Sequence, residues 1–140
     1  MKVLATVLGL VCGVPVLAQS LPLAGRWLPD AGDSVTVLTI KDGNLSWRAP
    51  KTSAPACVRP FELRKERPGT VYTNGQGTKF VAGAPGSIPT YLLKLAPGAC
   101  GSAGDDVRIS FPLIYDTNHI ELIDYVAGKP VSVRRFHRKK

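Results

Sequence analysis

The sequence predicts an all-β protein, a small antiparallel up-and-down β-barrel of eight to ten short strands, with a β-sandwich as the alternative. Three observations predict it. Turn signals recur every eight to twelve residues, among them Asp42-Gly43, Asn74-Gly75 and the segment "VAGKPV" at 126–131. The runs between them alternate apolar and polar side chains, the signature of a sheet with one buried face. No window sustains a helical period of useful length.

Residues 1–18 precede the fold. Lys2 supplies a positive start, Val3 to Val16 is mostly apolar but too short to span a bilayer, and Val16-Leu17-Ala18 presents a small residue for cleavage. This pattern predicts a secretory signal peptide removed after Ala18, leaving 19–140 as a single barrel domain with a basic C-terminal end. The short leader favours the bacterial periplasm. No later stretch is long and apolar enough to be a membrane-spanning helix. Loss of Cys12 with the leader leaves Cys57 and Cys100. In an oxidising compartment these are expected to form one disulfide, worth about 4 kcal/mol by chain entropy.

The strands follow in order. "GRW" at 25–27 opens the mature fold. "SVTVLTI" (34–40) places Leu38 and Ile40 on one face, and "NLSWR" (44–48) places Leu45 and Trp47 opposite Ser46 and Arg48. Phe61 and Leu63 oppose Glu62 and Arg64. "TVYT" (70–73) and "GTKFVA" (77–82) flank Asn74-Gly75. Tyr91, Leu93 and Leu95 share a face, as do Val107, Ile109 and Phe111.

"HIELIDY" (119–125) and "VSVRRFH" (131–137) form the last hairpin. A three-residue loop at 127–129 pairs Tyr125 with Val131, Ile123 with Val133, Glu121 with Arg135 and His119 with His137. That face is expected to point inward. Its opposite pairs Asp124 with Ser132, Leu122 with Arg134 and Ile120 with Phe136.

Gly25-Arg26-Trp27 ahead of a run of antiparallel strands resembles the lipocalin and calycin superfamily. The resemblance implies that Trp27 plugs the closed end of the barrel and that a basic side chain from the chain end, Arg134 or Arg135, covers it. Gly25, Trp27, Arg135 and Glu121 would then form a structural plug. A guanidinium over an indole is a favourable cation–π pair, and a glycine lets backbone approach closely.

Charge is concentrated at one end. The mature chain has 17 basic and 10 acidic residues, yet five of its last seven are cationic: Arg134, Arg135, Arg138, Lys139 and Lys140. Such a cluster attracts polyanions through counterion release. Only Phe136 among them could stack on a base.

Catalytic patterns are missing. No Gly-x-Ser-x-Gly elbow occurs, and Asp105-Asp106 reads as a turn. His119 and His137, the only histidines, could hold Zn²⁺ or Cu²⁺ if a third ligand such as Asp116 joined them, but they read as surface residues and no metal or other cofactor is expected.

These features predict a non-enzymatic binding protein recognising a protein partner in the envelope, inhibitor-like or immunity-like, through loops and basic surface. Two alternatives are a lipocalin-like carrier of a small apolar ligand and a polyanion-associating or envelope-associating structural protein. The bulky inward list (Leu38, Ile40, Leu45, Trp47, Phe61, Leu63, Tyr91, Leu93, Ile109, Phe111, Ile123, Val133) predicts an interior without room for a ligand.

Overall fold

The computed structural model describes residues 22–31, 37–48, 56–73, 76–83, 89–97, 105–113 and 115–140. The expected signal peptide, Asn74-Gly75 and Cys100 lie outside them. Ten strands run in chain order: β1 (Gly25–Pro29), β2 (Val37–Lys41), β3 (Asn44–Arg48), β4 (Cys57–Lys65), β5 (Val71–Thr73), β6 (Lys79–Val81), β7 (Tyr91–Leu95), β8 (Asp106–Ser110), β9 (His119–Val126) and β10 (Lys129–Arg138). Eight close into a barrel in the order β1-β10-β9-β8-β7-β4-β3-β2, all pairs antiparallel. The sandwich alternative is thereby excluded. The barrel is compatible with a lipocalin-like architecture.

Turn chemistry sets the meander. Asp42 and Gly43 both have positive φ, 50° and 72°, as do Ala127 and Gly128, 50° and 75°. Two consecutive left-handed residues make the tight turn whose twist matches flanking strands. The last loop therefore has two residues, not three, and Lys129 pairs with Val126. The register then shifts between Pro130 and Ser132, where the strand bulges. A bulge is a position where a proline, lacking an N–H, is tolerated. The short loop and the extra residue together restore the expected register: Ser132 faces Asp124, Val133 Ile123, Arg134 Leu122, Arg135 Glu121, Phe136 Ile120 and His137 His119.

The facing of that hairpin is the reverse of the expected one. Ile120, Leu122 and Phe136 are fully buried in the barrel core, whereas Val131 and Val133 are exposed. Ile123 is buried too, but in a second cluster with Tyr72 and Ala82, flanked by Phe80 and Tyr125. The cause is the β5–β6 hairpin. It is not a barrel strand pair; it lies against the outer wall and covers β9. A strand covered on both faces carries apolar residues on both, so alternation alone does not tell inside from outside.

A two-stranded hairpin is at best marginally stable alone. This one is stacked internally, Tyr72 on Phe80 with ring centroids 5.5 Å apart. Its base is tied down by Glu66 N–H to the Thr90 carbonyl (2.8 Å) and Gly83 N–H to Thr90 Oγ1 (3.3 Å). Arg108 of β8 fills the seam. Its guanidinium donates to Glu66 at 2.7 Å and to the Tyr125 hydroxyl, and lies 4.4 Å from the Tyr72 ring centroid.

Burial in this seam holds the Tyr72 and Tyr125 phenols above their ordinary range, against the opposing pull of Arg108. The folded state therefore favours neutral phenols. Their contribution to stability is full below the ordinary tyrosine value and is lost as pH rises through the raised folded values. An alkaline absorbance titration is expected to show delayed tyrosinate formation for these residues, with stability declining above pH 10.

Candidate functional site

The barrel interior is filled. Alternation turns Trp27, Leu38, Ile40, Leu45, Leu93, Val107, Ile109, Ile120, Leu122 and Phe136 inward, and all are essentially inaccessible. Trp47, Phe61 and Leu63 pack against them. The expected inward list is right for most members; Ile123 and Val133 are the corrections, since both point outward.

At the closed end Trp27 donates its indole N–H to the Leu23 carbonyl at 3.0 Å. The cation over its ring is Arg138, 4.2 Å from the centroid, and neither Arg134 nor Arg135. Arg138 also donates to the carbonyls of Ala24 (2.7 Å) and Pro22 (2.5 Å), joining the chain end to the first strand. Gly25 makes room: a Cβ there would stand 2.7 Å from Arg138 Nη1, and its φ of +136° disfavours other residues. Gly25→Ala is expected to cost about 1–3 kcal/mol, read as a lower urea midpoint. A loss below 0.5 kcal/mol would remove the close approach as a reason for this glycine.

The opposite end of the interior is polar. Arg59, 2 % exposed, donates to the Ala96 carbonyl at 2.9 Å and to Asp105 Oδ2 at 3.1 Å. Arg134 donates to Asp124 at 2.9 Å, and the Ser132 hydroxyl donates to the same carboxylate. A cavity of about 180 Å³ remains among Trp47, Arg59, Leu95, Asp105, Val107 and Asp124. It is below the range of about 300–1,000 Å³ typical of small-molecule sites, and ion pairs line it.

A roomier depression lies outside, where the β5–β6 hairpin meets the barrel wall. It measures about 280 Å³ and is lined by Tyr72, Phe80, Val81, Ser110, Phe111, Pro112, Glu121 and Arg135. Glu121 is 3 % exposed and accepts from Arg135 Nε at 3.0 Å. The expected Glu121–Arg135 pair thus forms, but on the outer wall and not beside Trp27. The Arg135 side chain is 66 % exposed, so its terminal nitrogens face solvent beside a buried carboxylate. Exposed Val131 and Val133 continue the patch along β10, and exposed Leu113 follows the lining residues Phe111 and Pro112 in sequence.

The five C-terminal cations do not form one patch. Arg134 and Arg138 turn inward to Asp124 and Trp27, Arg135 turns outward to Glu121, and only Lys139 and Lys140 extend past the strand. Cys57 heads β4, while Cys100 lies outside the described residues. His119 and His137 do stand opposite one another. Asp116 approaches His119 Nδ1 at 2.6 Å, which makes it a partner of the ring and not a third ligand beside it.

Among the described residues no three His, Cys, Asp or Glu side chains are placed to ligate one metal ion together, and no helix is long and apolar enough to cross a membrane. Arg59, Arg108 and Arg138 were not singled out as a mouth, seam and cap. The signal that points to Arg59 and Asp105 is parity: each lies two residues from an inward apolar position, Phe61 and Val107. Compared with protein-family models, curated proteins and solved structures, the chain matches none.

Proposed function

We propose that this chain is an exported, periplasmic binding protein without catalytic activity, which recognises a protein partner in the envelope in the manner of an inhibitor or immunity protein. The observation that supports it best is where the space lies. The described interior is taken up by side chains and ion pairs, while the outer wall carries a depression with an aromatic floor, a solvent-facing guanidinium and an apolar margin at Val131 and Val133. Arginine and aromatic residues in such settings dominate protein recognition. A Cys57–Cys100 disulfide would tie the start of β4 to the segment that follows β7 in the chain.

The test is capture from envelope extract by the mature protein, in parallel with Val131→Asp and Val133→Asp. Each variant should lose the captured partner while melting within a few degrees of wild type, because Val131 and Val133 are both exposed. Capture undiminished in both variants would place recognition elsewhere. Capture lost only on replacing Lys139 and Lys140, with a steep salt dependence, would favour the polyanion reading instead.

A further inference from the structure

The seam where the barrel closes carries an arrangement that the binding reading does not use. His119 on β9 and His137 on β10 are direct cross-strand partners, with ring centroids 6.4 Å apart. Each ring is held at its far nitrogen by a carboxylate from a different segment. Asp116 Oδ2 lies 2.6 Å from His119 Nδ1, and Asp30 Oδ1 lies 2.8 Å from His137 Nδ1. Asp116 is itself fixed by the Asn118 N–H, 2.7 Å from Oδ1. That contact, with His119, holds the Asp116 carboxyl below the usual carboxylate range.

A carboxylate that accepts from Nδ1–H selects the tautomer whose lone pair is on Nε2. Neither Nε2 has a hydrogen-bond partner among the described residues. Both side chains are partly open to solvent, 41 % and 42 % exposed, so an ion can reach them. Histidine with a carboxylate on its far nitrogen is the arrangement that metal-binding imidazoles use, since the carboxylate orients the ring and raises its basicity. Two such rings on neighbouring strands, tilted 46° to one another with a carboxylate behind each, offer two nitrogen donors and two compensating negative charges. That matches a dication of borderline softness.

We propose that His119 and His137 bind one divalent transition-metal ion, Zn²⁺ or Cu²⁺, through their Nε2 atoms. Asp116 and Asp30 act behind them as positioning residues, and water completes the coordination. Metal–nitrogen bonds of about 2.0–2.1 Å bring two coordinated rings to centroids about 5–6 Å apart, so binding draws the pair together by about 1 Å through side-chain rotation. With two protein ligands the site is open and exchangeable. Because Asp30 follows β1 while the histidines belong to β9 and β10, an ion here would tie together the strands that close the barrel.

The experiment uses tag-free mature protein with Zn²⁺ alone and Cu²⁺ alone. Calorimetry should show one equivalent bound and a raised melting temperature. Electron paramagnetic resonance of the one-equivalent Cu²⁺ complex should show coupling to two imidazole nitrogens. His119→Gln and His137→Gln should each lower affinity at least tenfold, and Asp30→Asn or Asp116→Asn should weaken it about 10–100-fold with the ligands retained. Absence of binding, a spectrum with fewer than two imidazole nitrogens, or affinity unchanged in both histidine variants would each overturn the proposal. The spectrum of the wild-type complex decides the matter even where a variant fails to fold.

Discussion

Trp27→Ala is expected to be among the most damaging single substitutions in this chain, with a loss of about 3–5 kcal/mol. Three effects combine. The largest fully buried side chain disappears from the closed end of the barrel. The Leu23 carbonyl loses the indole N–H that donates to it at 3.0 Å. Arg138 loses the ring beneath its guanidinium, a contact worth about 0.5–2 kcal/mol. A domain of this size has only about 5–15 kcal/mol to lose. The variant should therefore melt far below wild type and lose near-ultraviolet circular dichroism first. Trp27→Phe should recover a good part of the packing but not the Leu23 hydrogen bond. Urea denaturation of the three proteins tests this; a loss below 1 kcal/mol for the alanine variant would mean that the ring does not plug the barrel.

The second large effect is expected at the other end. Asp105→Ala should destabilise by about 3–5 kcal/mol, because it leaves the Arg59 guanidinium, 2 % exposed, without the carboxylate 3.1 Å away. Arg59 keeps its bond to the Ala96 carbonyl, but a buried guanidinium that loses its carboxylate costs more than replacing both members of the pair. The double replacement Arg59→Met with Asp105→Leu should therefore be much milder than the single one, and near neutral or stabilising if the new side chains pack. Equilibrium unfolding of single and double variants gives the comparison. If the double variant is the worse of the two, the ion pair contributes more than its desolvation costs.

The outer wall separates readily what one sequence can and cannot reveal. Alternation within each strand and the Asp42-Gly43 turn are local properties and legible, whereas the pairing of Ser132 through His137 comes out as expected only because a loop one residue shorter and a bulge one residue longer offset each other. The cover on Trp27 was legible in kind, a cation from the chain end, but not in identity. Arg134, Phe136 and Arg138 share the inward parity, and with Arg134 engaged at the mouth by Asp124, Arg138 is left for the indole. That parity could not be chosen from β9 and β10 alone, because Ile123 and Tyr125 make the outer face of β9 as apolar as its inner face. They are apolar on account of Tyr72, Phe80 and Ala82, about forty to fifty residues earlier in the chain. Such a non-local cover leaves no periodic trace at the strand it covers.

The depression was not legible for the same reason, since it exists only where the hairpin meets the wall. Glu121 and Arg135 pair by register alone, but only the inverted facing of the hairpin makes the pair part of an exterior surface. The histidine pair was visible as opposed residues. Asp30, which lies 107 residues from His137 and holds it, became visible only when the barrel closed.

Emission from the two tryptophans tests the central claim most directly. Trp27 lies at the closed end and Trp47 lines the mouth, so any molecule entering the barrel must pass one to reach the other. The mature protein titrated with long-chain fatty acids and other apolar probes should show no saturable change in fluorescence, because side chains occupy the space. A saturable, one-to-one change that is lost in Trp47→Ala would mean the barrel opens to hold a ligand, and recognition through the outer wall would have to be abandoned.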